Sequence, residues 1–357
     1  MTEDGGGESA ERILAAAPAL ARPRFDSRTF PRVESALFEA IRSHPAQKLV
    51  LQVPAGLTRN AHRLAGEIRE RTGKSVILAA RACFGACDFP SADEAPGAGL
   101  AVVLGHARIP NVELARPTFF VEMRESGGDA EALSEVVLHA HLPARLGIVA
   151  SVQHLDLLPT LTRALASRGF HVESGAGESR LAYPDQALGC NYTSAQAVEG
   201  RVDAFLFLGT GRFHPLGLAF AVDRPVWALD PLQGTLEPPI DRGALIRKRQ
   251  LLVASVMDAR RFGLLVSSFA GQNRHPMALA LQRRALDHGR EAEILVFDRL
   301  DPRDLEGRDL DAYVNTACPR IALDDSDLYP RPVLTPPEFL MALGELPLEP
   351  YRFDTFR

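Results

Sequence analysis

Apolar, strand-like runs that alternate with helical segments predict an α/β protein. The expected architecture is three similar small three-layer α/β domains with parallel sheets, in a pseudo-threefold arrangement around a central site. Three observations carry this. A strand–loop–helix unit recurs at a period of roughly a hundred residues. Glycine and Arg-Pro punctuation recurs with it. Each copy also carries a cysteine in a loop behind a strand.

The copies begin with KLVLQV from Lys48, RLGIVAS from Arg145 and RFGLLVS from Arg261. Each run leads through a polar or Gly/Pro loop into a helical stretch. The first stretch is the clearest, with Ala61, Leu64, Ala65 and Ile68 at the i, i+3, i+4, i+7 spacing of a buried face. Gly73, Gly169 and Gly289 follow the three helices, where a left-handed residue ends a helix. A second strand-like run follows each glycine. Third runs lie within Gly99 to Pro110, Val202 to Pro215 and Leu310 to Pro319, and the pairs Arg116-Pro117, Arg224-Pro225 and Arg331-Pro332 open a fourth. Domains are therefore expected at 31–142, 143–250 and 251–357, behind a tail at 1–30 that is disordered or weakly helical. A single large doubly wound sheet is the competing architecture; the repeated punctuation favours three copies.

With 357 residues, 46% hydrophobic and 24% charged, the chain has the size of two or three domains and an ordinary globular composition. A net charge of -5 does not suit a general basic field, so no direct nucleic-acid binding is expected. No apolar run is long enough to span a bilayer and no secretory pattern opens the chain, which predicts a cytoplasmic protein without a membrane span. In such a protein the four cysteines are expected to bind metal or act in catalysis rather than form disulfides.

Cys87, in RACFGACD, and Cys190, in LGCNY, fall between the second and third strands of their copies. Cys318, in VNTACPRIALDD, follows the third strand of its own. Loops behind parallel strands are where an α/β fold gathers its chemistry. Three thiolates converging from three domains suit an iron-sulfur cluster that keeps one iron without a protein ligand, because soft thiolates select such clusters or zinc. A structural zinc site closes with four ligands, often in C-x2-C pairs, and the chain has no such pair. Cys83 and Cys87 share the opening of the radical S-adenosylmethionine motif CxxxCxxC, but Pro90 stands at its third position. Cys83 is read as a small buried residue.

FGACD, GCNY, FLGTGRFHPLGLA (Phe207 to Ala219) and NTACPRIALDD resemble the signatures of the archaeal diphthamide-synthesis family, the 2-(3-amino-3-carboxypropyl)histidine synthases. The resemblance covers most of the chain, and each cysteine carries its own context; Phe84 stands where the family has tyrosine. It implies a three-domain chain, a homodimer, and one 4Fe-4S cluster per subunit held by Cys87, Cys190 and Cys318. It also implies the reaction. A 3-amino-3-carboxypropyl radical passes from S-adenosylmethionine to a histidine of translation elongation factor 2, the first step of diphthamide synthesis. 5'-Methylthioadenosine is released, and an electron donor is required.

Further residues have candidate roles beside that cluster. Gly209, Thr210 and Gly211 end an apolar strand, where small residues let backbone N–H groups approach a carboxylate or ribose; a plain tight turn is the alternative. His214 either contacts the cofactor or caps a helix. Arg320 matches a cofactor carboxylate with two hydrogen bonds, or pairs with Asp324 and Asp325. Gln272, with Gln52 and Gln153, follows the first strand of its copy at a differing offset, a weak sign of a polar role near the centre. Two other functions compete: a quinolinate-synthase-like 4Fe-4S dehydratase, whose cysteine contexts differ from these, and a non-catalytic partner subunit of a diphthamide-synthesis heterodimer, a type that often lacks a cluster cysteine.

Overall fold

The computed structural model describes residues 35–125 and 128–357; the tail expected at 1–30 lies outside the described residues. The chain forms two compact units. One takes the described residues up to Ala130 together with Val152–Leu161, the other Glu131–Ser151 and Thr162–Arg357.

The first unit holds α1 (Ser35–Ser43), β1 (Lys48–Gln52), α2 (Thr58–Thr72), β2 (Ser75–Leu78), β3 (Leu100–Leu104) and β4 (Thr118–Val121). Its four strands are all parallel, in the order β2-β1-β3-β4. The apolar stripe expected on α2 is the buried one: Ala61, Leu64, Ala65 and Ile68 pack into the core of this sheet.

The second sheet follows α3 (Ala130–His139). It comprises β5 (Arg145–Ala150), β6 (His171–Glu173), β7 (Ala204–Leu208), β8 (Val226–Asp230) and β9 (Thr235–Glu237), with α4 (Leu158–Ser167), α5 (Thr193–Gln196) and α6 (Phe213–Ala221) between them. Its order is β6-β5-β7-β8-β9. β9 departs from the expected parallel sheet. It returns antiparallel from β8 through a tight turn at Asp230–Gly234, because so short a connection cannot reach back to start a parallel strand.

The third sheet follows α7 (Arg242–Ala254). It comprises β10 (Arg261–Ser267), β11 (Glu291–Phe297), β12 (Ala312–Asn315) and β13 (Val333–Leu334), with α8 (His275–Asp287), α9 (Pro319–Leu323) and α10 (Pro336–Ala342). Its strands are parallel in the order β11-β10-β12-β13. In α7, the buried Arg249 makes two hydrogen bonds to the Glu338 carboxylate, at 2.7 and 2.6 Å, and donates to Ala322 O and Val333 O. One guanidinium thus ties α7, α9, β13 and α10 together, and steadies the helix that follows Cys318.

The same winding therefore occurs three times: the second strand lies on one side of the first, the third and fourth on the other. Each third strand (LAVVL, AFLFL, AYVN) is buried along its whole length, as a parallel strand covered on both faces should be. The Arg-Pro pairs start the fourth strand each time. The carbonyls of Pro117, Pro225 and Pro332 accept from the third-strand N–H groups of Ala101, Phe205 and Tyr313 at 2.9, 2.8 and 2.8 Å.

Side-chain volume is exchanged across this repeat. Gly147 is paired with Phe205 and Gly263 with Tyr313, and a Cβ at either glycine would stand 2.4 or 2.7 Å from a ring atom. In the first sheet the equivalent pair is Val50 and Ala101, with the larger residue on the first strand. Each sheet fills the same space once, from one side or the other.

Candidate metal centre

The loop that carries Cys87 lies between β2 and β3 and is fastened by its own neighbours. Cys83 joins it to the sheet, its N–H donating to Val53 O at 3.0 Å just beyond β1. The buried Cys83 thiol faces Gly85 O at 3.1 Å and Asp88 O at 3.6 Å, so it acts as a donor inside the loop. Burial pushes this thiol up to about 12, and a thiol held neutral is a poor metal ligand. Asp88, also buried, pairs with Arg81, which in turn holds Glu94 through hydrogen bonds of 2.9 and 3.0 Å. Asp88 N–H donates to Gly85 O and closes the turn around Cys87. A Cβ at Gly85 would stand 3.2 Å from Cys87 Sγ, so glycine leaves the thiol its room. His106, just past β3, donates from its ring to the Cys83 carbonyl; burial lowers its imidazole to about 4 and keeps it neutral.

Cys190 and Cys318 both belong to the second unit, and an asparagine turns the chain at each. Asn191 Oδ1 accepts from the Thr193 N–H at 3.0 Å and hydroxyl at 2.7 Å. Asn315 Oδ1 accepts from the Ala317 N–H at 3.0 Å, while its Nδ2 donates to Cys318 O at 2.8 Å. Cys318 is the cap of α9, and Pro319 occupies the first helical position, where no N–H is needed. The Phe213 ring links the two neighbourhoods. A Cβ at Gly189, next to Cys190, would lie 2.0 Å from it, and the Arg320 guanidinium sits 5.3 Å from its centroid.

Tyr192 completes this part of the site. It is fully buried, and burial raises its phenol well above the ordinary range; negative charge on Cys190, Asp324 and Cys318 raises it further. Its hydroxyl has no hydrogen-bond partner among the described residues. Cys87, Cys190 and Cys318 are half-buried and outside any disulfide, whereas Cys83 is enclosed. Among the described residues no three His, Cys, Asp or Glu side chains gather as the ligands of a single metal ion. Thiolates are soft donors of the kind that select iron-sulfur clusters, in which each binds its own iron.

The other expected residues are placed as follows. Gly209, Thr210 and Gly211 follow β7 directly. A Cβ at Gly209 would stand 2.8 Å from the Phe207 ring, and Gly211 takes a left-handed φ of +75°. His214, in the first turn of α6, stacks on Phe207 with centroids 6.0 Å apart and planes 7° from parallel. Arg320 is half-exposed and reaches Asp324 at 3.6 Å and Asp325 at 3.9 Å, so the internal pairing considered from sequence is present. Gln272 lies in the loop after β10, its N–H on Phe269 O. Gln52 ends β1 with both amide atoms buried and without partners among the described residues, while Gln153 Nε2 donates to Gly105 O at 2.6 Å. The three glutamines hold non-equivalent places in their repeats. Neither Tyr192 nor His106 has a spacing that announces it. The asparagine beside Cys190 is the local signal that does exist, because Asn is a residue that turns a chain.

The fold defines an α/β protein of three similarly wound, largely parallel sheets, with a cysteine in a loop of each repeat. Comparison with known proteins narrows the class. The family model of diphthamide synthesis proteins matches residues 53–352. A Pyrococcus horikoshii protein named 2-(3-amino-3-carboxypropyl)histidine synthase is 37% identical over 324 residues, 90% of this chain and 92% of that one. A Homo sapiens protein named 2-(3-amino-3-carboxypropyl)histidine synthase subunit 1 is 26% identical over 329 residues, 88% of this chain and 73% of that one. A crystal structure of Dph2 from Pyrococcus horikoshii with a 4Fe-4S cluster superposes with a TM-score of 0.82 at 37% identity, covering 90% of this chain and 92% of that one. The chain belongs to the diphthamide synthesis family.

Proposed function

We propose that the chain is a 2-(3-amino-3-carboxypropyl)histidine synthase in which Cys87, Cys190 and Cys318, one from each repeat in a pseudo-threefold arrangement, hold a single 4Fe-4S cluster. When bound, the cluster supplies an electron and an iron site open to S-adenosylmethionine. The observation that carries the reading is the pair of cysteine loops, those of Cys190 and Cys318 from two different repeats, that meet at the Phe213 ring with neither cysteine in a disulfide. The buried Tyr192 hydroxyl, without a partner among the described residues, is a donor that this site would still have to satisfy. The Gly209 N–H is taken by Leu229 O, so it is the backbone N–H groups of Thr210 and Gly211, with Gly209 as the small residue beside them, and the guanidinium of Arg320 that match a ribose and a carboxylate, with His214 and Gln272 as further cofactor contacts. Cys83, a neutral donor to its own loop, stays outside the ligand set.

The acceptor in this reading is a histidine of translation elongation factor 2, which receives the 3-amino-3-carboxypropyl group while 5'-methylthioadenosine leaves. A homodimer in the cytoplasm, supplied by a separate electron donor, completes it. The test is to reconstitute the protein with iron and sulfide without oxygen, add dithionite and S-adenosylmethionine, and identify the nucleoside released. 5'-Methylthioadenosine is expected, and 5'-deoxyadenosine would overturn the reading. Replacing Cys87, Cys190 or Cys318 by Ala should abolish release; full release by Cys190→Ala would sink the ligand assignment.

A further inference from the structure

The stretch from Tyr351 to Arg357 forms no helix or strand, yet Tyr351, Asp354 and Phe356 are all buried. Its contacts converge on the two cysteine loops of the second unit. The Phe356 N–H donates to the carbonyl of Cys190 itself at 2.9 Å, and the Phe356 carbonyl accepts from Asn191 Nδ2 at 2.6 Å. The Phe356 ring is held between two guanidinium groups, Arg274 at 3.8 Å and Arg180 at 4.9 Å from its centroid. Arg274 also makes two hydrogen bonds to the Asp354 carboxylate, at 2.8 and 2.5 Å, and its Nε donates to Thr316 O at 2.6 Å, two residues before Cys318. Arg180 reaches Gly271 O at 2.6 Å.

We infer that Phe356, Asp354 and Arg274 form a positioning bracket that sets the distance between Cys190 and Cys318, an inference that rests on both being cluster ligands. Arg274 stands at the middle of it. One edge grips the backbone ahead of Cys318, the other grips Asp354, and its face seats the ring whose backbone holds Cys190. A planar, delocalised cation with five fixed donors performs all three tasks at once, which lysine cannot. The two loops come from different sheets, so a group bonded to both transmits the position of one to the other. Supporting residues of this kind hold ligands within the fraction of an ångström that a cluster requires.

The test uses the full chain without its cluster, so it does not depend on the loaded enzyme. Alkylation of each cysteine by iodoacetamide is followed by peptide mass spectrometry in the wild type and in Phe356→Ala, with Cys87 as the internal reference. In Phe356→Ala, Cys190 is expected to react about tenfold faster, as a loop opened by loss of its anchor does, while Cys87 keeps its rate. A Cys190 rate within about twofold of wild type, or a rise shared equally by Cys87, overturns the bracket. If circular dichroism shows Phe356→Ala to be unfolded, Asp354→Asn, which leaves the ring in place, is judged by the same criterion. Iron and sulfide bound after reconstitution separate the two levels: wild-type amounts in Cys190→Ala would defeat the ligand reading, whereas the alkylation result decides the bracket alone.

Discussion

Cys87 and Cys190 occupy the same interval of their repeats, between the second and third strands, but they are fastened in opposite ways. The Cys87 loop is closed by residues of its own: Cys83, Gly85 and Asp88 within the turn, and Glu94 thirteen positions from Arg81. The Cys190 loop is held by Phe356, whose carbonyl meets an Asn191 side chain 165 positions earlier in the chain. A locally closed loop keeps its shape when distant parts of the molecule loosen. A remotely closed one is only as firm as the contacts that hold its anchor.

The largest expected effect of breaking the local closure comes from Arg81. Its partner Asp88 is almost fully enclosed, with 3% of the side chain exposed, and Arg81→Ala would leave that carboxylate buried without its cation, with only the long contact to the Phe84 N–H at 3.5 Å. Removing one member of a buried pair costs roughly 3–5 kcal/mol, whereas removing both costs less because no charge is stranded. Urea denaturation should therefore show Arg81→Ala to be less stable than the double variant Arg81→Ala/Asp88→Ala. If the two match, the ion pair is not what closes this loop.

The same contrast explains what could be read from the amino acids alone. The three strand–helix units, the helix stripe of Ala61, Leu64, Ala65 and Ile68, and the Arg-Pro starts of the fourth strands are local patterns, and the structure contains them. The exchange of volume between Gly147 and Phe205, or Val50 and Ala101, is a cross-strand fact that appears only once the register is known. β9 was hidden because its three residues are too few to show a period. The cysteines stood out through their contexts. Tyr192, His106 and Phe356 did not, since what marks them is burial and a partner far along the chain.

A smaller effect sharpens the comparison through pH. His106, which binds the Cys83 carbonyl, has its imidazole lowered by burial from the ordinary 6.5 to about 4. Below pH 6.5 the unfolded chain takes up a proton that the folded chain refuses, so folding loses free energy as pH falls from 6.5 towards 4. The stability is complete above 6.5. The loss is on the order of 1–3 kcal/mol at the acid end. Urea midpoints should drop between pH 7.5 and pH 4.5 more in the wild type than in His106→Gln. Parallel curves for the two would show that His106 is not the group responsible.

The smallest expected effect is also the most discriminating, because Cys83 and Cys87 stand four residues apart in one loop. Cys87 is half-buried with room left by Gly85, while Cys83 is enclosed, its thiol directed at two carbonyls and held neutral by burial. Cys83→Ala removes a weak donor and a small volume, so stability should fall by about 1 kcal/mol. The reconstituted variant should still bind the wild-type amounts of iron and sulfide, whereas Cys87→Ala should not. Equal loss of iron in both would make Cys83 a ligand, and the loop's closure would then come from the metal rather than from the hydrogen bonds that surround it.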